Sequence, residues 1–85
     1  MNIHVDKIKE DVLILRLFKD GIEPIWPNKF EFAVVAVLEG KVAKLKALCY
    51  GVTRDCRETM AIELRKHGIR EVVWDHNGKE KRLMI

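Results

Sequence analysis

The sequence predicts a small α+β domain, in which a mainly antiparallel sheet of five to six strands carries one helix on one face. Several apolar stretches of strand length are separated by tight-turn dipeptides. One segment, residues 54–67, instead repeats its apolar side chains at helical spacing. The chain has 85 residues, the size of one domain, so we expect residues 1–85 to fold as a single unit.

The first strong strand is predicted at residues 12–18, where both alternating faces are apolar. That pattern is typical of a strand covered on both sides or interior to a sheet. Residues 3–8, which precede it, are short and mixed, and a turn is expected to end them near Asp11. Asp20 and Gly21 then predict a tight turn after the strand.

Two further strands are predicted before the helix. Residues 30–38 form a second strong apolar run, and residues 42–49 form a third with clear alternation. Lys44 and Lys46 share one face of that third strand, which predicts that it is half exposed.

The predicted helix runs from about Arg54 to His67. Thr53 is a plausible N-cap because its hydroxyl can accept a hydrogen bond from a free amide of the first turn. Gly68 is expected to end the helix in a left-handed conformation. The apolar stripe of the helix consists of Cys56, Met60, Ala61 and Leu64.

A second pair of strands is predicted after the helix, at residues 69–75 and 81–85. Asn77 and Gly78 between them are a strong hairpin signal. The predicted order is β-β-β-α-β-β, with a short strand expected at the start. One helix covers one sheet face, so the other face must be covered by loops, by solvent-tolerant lysines or by a second copy.

Composition excludes several classes of protein. No stretch approaches the ~18 apolar residues that cross a bilayer. Residues 1–6 lack a basic start and an apolar core, so we expect no signal peptide, a cytoplasmic location and free thiols. The spacing of Cys49, Cys56, His67 and His76 matches no closed zinc site, and we expect no metal and no cofactor.

Charge leaves nucleic-acid binding open as a weak alternative. The formal net charge is +3, from 16 basic and 13 acidic residues. The basic residues that could form a surface for a phosphate backbone are Lys44, Lys46, Lys79, Lys81 and Arg82.

Two apolar side chains are candidates for binding a partner. Trp26 lies between Pro24 and Pro27, in a segment rich in turn-forming residues, where an exposed aromatic ring could anchor another protein. Ile62 is predicted on the outward side of the helix.

Residues 42–75 resemble the centre of the GNAT superfamily of N-acetyltransferases. In that family a strand leads into a Q/R-x-x-G-x-G/A loop that holds the pyrophosphate of acetyl-CoA at a helix start. Arg54-Asp55-Cys56-Arg57-Glu58-Thr59 occupies that place here, with Arg54 at the first position. Arg57 and Thr59 replace the small residues, so the resemblance implies a half-size GNAT-like domain with an eroded coenzyme motif. Such domains are similar to small phage and prophage proteins.

Three functions are therefore expected from the sequence. The first is a non-enzymatic interaction or accessory protein, of the kind that phages and prophages encode, that self-associates as a homodimer or binds another protein. The second is a reduced acetyltransferase or acyl-CoA-binding domain, in which Arg54 and Arg57 contact phosphate. The third is a weak nucleic-acid binder.

Overall fold

A computed structural model of the chain describes residues 1–46 and 53–85. The described part contains one six-stranded sheet and one helix. The elements are β1 Asn2–Lys9, β2 Val12–Phe18, β3 Phe32–Glu39, β4 Val42–Lys46, α1 Arg54–Lys66, β5 Glu71–His76 and β6 Lys79–Met84.

The strands lie side by side in chain order, from β1 at one edge to β6 at the other. All neighbouring pairs are antiparallel except β4 and β5, which are parallel. A parallel pair requires a crossover connection, and α1 lies between these two strands in the chain. The prediction of a mostly antiparallel α+β sheet with one helix is confirmed, and the sheet is mixed because of this one pair.

The edge strand β1 is longer than its sequence pattern indicates. It pairs with β2 over most of its length, from Asn2 opposite Phe18 to Lys7 opposite Leu13, with an irregularity between Lys7 and Lys9. Its side chains alternate between apolar Ile3 and Val5 towards the helix and polar residues on the other face. Pairing with β2 therefore stabilises β1 as a strand, although its own residues have only a weak strand propensity.

The core lies between α1 and one face of the sheet. On β2, Leu13, Leu15 and Leu17 alternate into it, and each is at most 1% exposed. The helix contributes its buried stripe, Cys56, Met60 and Leu64. Since alternate strand residues point to opposite faces, the other face of the sheet holds the remaining strand side chains.

The ends of α1 form as their residues predict. The amide of Cys56 donates to the Thr53 hydroxyl at 3.1 Å, which caps the first turn. Gly68 has a φ of 81°, and the amide of Ile69 donates to the Leu64 carbonyl at 3.1 Å. The helix is therefore closed at both ends by local hydrogen bonds.

Several predicted strand boundaries differ from the structure. β5 begins at Glu71 rather than residue 69, because the amide of Ile69 donates to the Leu64 carbonyl at the end of α1. β3 begins at Phe32 rather than residue 30, so residues 30 and 31 belong to the preceding loop. The amide of Glu31 donates to the Leu17 carbonyl and joins this loop to β2. β6 begins at Lys79, directly after the Asn77-Gly78 turn, where both residues have positive φ. The predicted end of the third strand at Cys49 lies outside the described residues. No helix within the described ranges is both long and apolar enough to cross a membrane.

Candidate interaction site

The sheet face opposite α1, here called the open face, has an aliphatic centre. The strand register places Val12 opposite Val37 and Ile14 opposite Val35 on this face. Apart from Ala33, its aliphatic residues are all β-branched, which suits a pleated surface. They are Val12, Ile14, Val35, Val37, Val42 and Val73.

None of these six residues belongs to the cluster that packs beneath the helix. Val73 is buried between Lys44 and Arg82 in the register, whereas the other five are only half-buried. On the same strands, Leu15 and Ala36 are 0% exposed on the helix face. Within residues 1–46 and 53–85, the single helix lies on the other side of the sheet. On the open face, the aliphatic side chains are therefore shielded only by the side chains next to them on the sheet.

Two cations beside this aliphatic centre are paired with carboxylates. Lys44 Nζ lies 3.2 Å from Glu39 Oε2, and both residues are on the open face. Arg82 Nη1 of β6 lies 2.9 Å from Glu71 Oε1 of β5, and both of these residues are also on the open face. These cations are therefore largely neutralised by carboxylates within the same chain.

The segment between β2 and β3, residues 19–31, is here called the Trp26 loop. Its backbone is held by local hydrogen bonds, including Ile25 N to Glu23 O at 2.8 Å and Asn28 N to Ile25 O at 2.9 Å. The side-chain amide of Asn2 on β1 donates to the Ile22 carbonyl at 2.8 Å and ties the loop to the sheet edge. Trp26 is nevertheless 91% exposed, so an ordered loop presents a nearly free indole.

The Trp26 loop and the open face enclose a groove of about 660 Å³, here called the Trp26 groove. Its sheet side is formed by residues that point away from the helix, namely His4, Asp6, Arg16 and Phe18. Its loop side is formed by Pro24, Trp26, Pro27, Asn28, Lys29 and Phe30. A volume of this size lies within the range of ligand-binding clefts.

An aromatic pair holds the loop side of the groove against the sheet. The rings of Phe18 and Phe30 meet edge to face, with centroids 6.3 Å apart and an interplanar angle of 79°. Phe18 is 3% exposed although it lies outside the helix-side core. The groove therefore has a packed base at the end of β2.

An ion pair lies on the sheet side of the groove. Arg16 Nη1 is 2.5 Å from Asp6 Oδ2 across β1 and β2. His4 is the register partner of Arg16. Sequence reasoning missed all three residues because they lie in no motif. The one indication in the sequence was that Asp6 and Arg16 carry opposite charges in two segments that form neighbouring strands.

The two predicted partner-binding residues lie on different sides of the molecule. Trp26 lines the groove with open-face residues, whereas Ile62 lies on α1 and is 52% exposed. One flat interface therefore cannot use both side chains. The structure brings Trp26, and not Ile62, together with other groups that could contact a ligand.

The five predicted basic residues are also divided between the two faces. Lys44, Lys46 and Arg82 lie on the open face by register. Lys79 and Lys81 pair with His76 and Trp74, which places them on the helix side. They do not form one continuous basic surface.

Arg54 and Arg57 point to different surroundings at the start of α1. Arg54 Nε lies 3.1 Å from Glu58 Oε1 in an exposed pair. Arg57 lines an apolar cavity of about 50 Å³ with Trp74 and Leu83. Gly51, in the preceding segment, lies outside the described residues. Among the described ones, the two arginines do not converge on a common point.

The cysteine of the helix is buried. Cys56 lies in the core beneath α1, and burial raises the pKa of its thiol, with the charge of Asp55 raising it further. Cys49 lies outside the described residues. In the part of the chain that the structure describes, no group of three His, Cys, Asp or Glu side chains could hold a metal ion.

Comparison with protein-family models, with curated proteins and with solved structures found no match to this chain. The functional interpretation therefore depends on the geometry described above.

Proposed function

We propose that this protein is a non-enzymatic interaction module that self-associates through the open face. The observation that carries the proposal is the unequal covering of the two sheet faces. The helix face is buried by α1, whereas five half-buried aliphatic residues, among them Val35 and Val37, lie at the centre of the other face. Contiguous apolar surface of this kind marks a protein-binding site in a small domain.

The size of the open face suits a stable dimer. The Cα atoms extend over 32 × 28 × 18 Å, so the sheet face spans the two longer dimensions. A standard protein interface buries about 800 Å² on each partner. Removing β-branched side chains from water contributes roughly 25 cal/mol for each Å² of apolar area, and Val12, Ile14, Val35 and Val37 form one continuous patch across β2 and β3.

The charge pattern supports a second copy as the partner. Each chain carries a net charge of +3, which opposes the approach of two copies. On the open face, however, Lys44 pairs with Glu39 and Arg82 pairs with Glu71. Two such faces can meet across a twofold axis, because the interface of a symmetric dimer uses the same patch twice.

The surroundings of the nucleophilic side chains support a role without catalysis. The chain has no serine. Among the described residues, the Thr53 hydroxyl caps α1, the Thr59 hydroxyl donates to the Asp55 carbonyl, and the Cys56 thiol is buried. None of the three faces the Trp26 groove.

A reduced GNAT-like scaffold is part of the same proposal. The parallel pair β4 and β5, with α1 between them in the chain, supports the resemblance of residues 42–75 to that family. The separate surroundings of Arg54 and Arg57 favour a scaffold that has lost coenzyme binding.

The test is the molar mass in solution of a variant designed to stay folded. In Val35→Glu/Val37→Glu, each new carboxylate lies opposite a lysine of β4, Lys46 or Lys44, so the single chain gains cross-strand charge pairs. The wild type is expected at twice 9.9 kDa and this variant at 9.9 kDa. Ile62→Glu, at an exposed position of α1, is the matched control and should remain dimeric. A wild type that stays monomeric at high concentration contradicts the proposal.

A further inference from the structure

We propose that the Trp26 groove binds an extended acidic peptide segment of another protein, in which a carboxylate contacts Lys29 and Arg16 while an apolar side chain packs on Trp26. This goes beyond self-association, because the groove uses the loop and the β1–β2 end of the sheet. The aliphatic centre at Val35 and Val37 is a separate set of side chains.

Trp26 has the properties of a binding anchor. It is 91% exposed, more than any other large apolar side chain in the described part of the chain. The loop around it is held by backbone hydrogen bonds and by the bonds that Asn28 Nδ2 and Asn2 Nδ2 donate to loop carbonyls. An anchor that is ordered before binding loses little conformational freedom when a ligand arrives. Exposed Trp residues in such positions carry a large share of binding energy.

The shape and apolar lining of the groove suit an extended chain. Pro24, Pro27 and Phe30 present flat apolar surfaces beside the Trp26 indole. Grooves lined by aromatic rings accept peptides in the polyproline II conformation, whose backbone is already extended. The apolar lining therefore indicates a peptide with at least one proline or aliphatic residue.

The polar lining of the groove has an excess of cations. Arg16 uses Nη1 for Asp6, and its other guanidinium nitrogens have no hydrogen-bond partner among the described residues. Within the same ranges, no carboxylate lies within 4.0 Å of Lys29 Nζ. The groove is therefore lined by one carboxylate, two cations and His4. An anionic group on the ligand would balance the second cation.

The same charges favour a peptide over single-stranded nucleic acid. A nucleic-acid strand carries a phosphate at every residue and needs a continuous track of cations. Here Asp6 lies on the sheet side and would repel a second phosphate. One free lysine and a partly engaged arginine match one or two carboxylates.

The experiment selects binders from a display library of random 12-residue peptides on the immobilised protein. Peptides that combine Glu or Asp with proline or an aliphatic residue should be enriched. Their affinity should fall at least about tenfold in Trp26→Ala and several-fold in Lys29→Gln. Both changed side chains are exposed, so neither variant should unfold. Ile62→Ala, at an exposed apolar position on α1, should bind as the wild type does.

Three results would overturn the proposal. One is that Trp26→Ala selects the same peptides with the same affinity. Another is that only basic peptides are enriched. The third is that oligo(dT) of twelve nucleotides binds more tightly than any selected peptide, with steep loss in salt. A monomeric protein that still binds acidic peptides would reject the dimer and leave the groove proposal standing.

Discussion

Asp6 on β1 and Arg16 on β2 form a cross-strand ion pair, with Asp6 Oδ2 2.5 Å from Arg16 Nη1, on the sheet side of the Trp26 groove. The pair ties the edge strand to its neighbour diagonally, since the register partner of Asp6 is Ile14 and that of Arg16 is His4. It also affects the charge of the groove, since Asp6 is the one carboxylate among the described residues that lines it.

Asp6→Asn should separate these two effects. The pair is partly exposed, with side-chain exposures of 28% for Arg16 and 46% for Asp6, so solvent screens it. Its loss should lower the free energy of unfolding by at most about 1 kcal/mol in urea denaturation. The affinity for acidic peptides should rise, because Arg16 becomes free to bind the ligand. A fall in that affinity in a variant of normal stability would count against the peptide proposal.

Thr53→Ala should destabilise the helix through its first turn. The change removes the acceptor for the Cys56 amide, and a lost N-cap costs about 1 kcal/mol in the free energy of unfolding. Thr59→Ala is the matched control, because that hydroxyl only donates back to the Asp55 carbonyl within the helix. Thermal unfolding should rank the variants with Thr53→Ala lowest. Equal loss in both variants would show that the cap is not the cause.

Stability should depend on the Cys56 thiol at high pH. Burial raises its pKa in the folded state, whereas its pKa in the unfolded chain is about 8.5. Its contribution to stability is therefore complete below the unfolded pKa and declines as the pH rises towards the folded pKa. Urea unfolding at pH 7 and pH 10, compared with Cys56→Ala, isolates the effect. The wild type should lose more stability than the variant over this interval, and an equal loss would contradict the assignment.

Acetyl-CoA should not bind at the start of α1. Arg54 is paired with Glu58, Arg57 lines an apolar cavity, and Asp55 places a negative charge in the first turn. Backbone amide spectra of labelled protein should stay unchanged at residues 53–58 during a titration to millimolar coenzyme. Saturable shifts there, abolished in Arg54→Ala/Arg57→Ala, would restore the acyl-CoA alternative.

Local signals made several elements predictable. Thr53 and Gly68 delimit the helix because capping depends on residues a few positions apart. The turn at Asn77 and Gly78 was predictable for the same reason, since positive φ at both residues is a property of that dipeptide. These features need no information from distant parts of the chain.

Long-range features were harder to derive. The full length of β1 depends on pairing with β2, and the parallel contact of β4 with β5 depends on where the helix returns the chain. Trp26 was identifiable as an exposed candidate, but His4, Asp6 and Arg16 were not, because the groove forms only when the Trp26 loop lies over the sheet. Trp26 and Ile62 were both predicted as partner-binding residues, and the sequence alone does not show that they lie on different sides of the molecule.

The most direct measurement of the central claim is an isotope-filtered NOE experiment on a mixture of labelled and unlabelled protein. Such spectra record only contacts between different copies of the chain. Self-association through the open face predicts intermolecular NOEs at the methyl groups of Val12, Ile14, Val35 and Val37. A spectrum without intermolecular NOEs at high concentration, or with NOEs confined to Ile62 on α1, would contradict it.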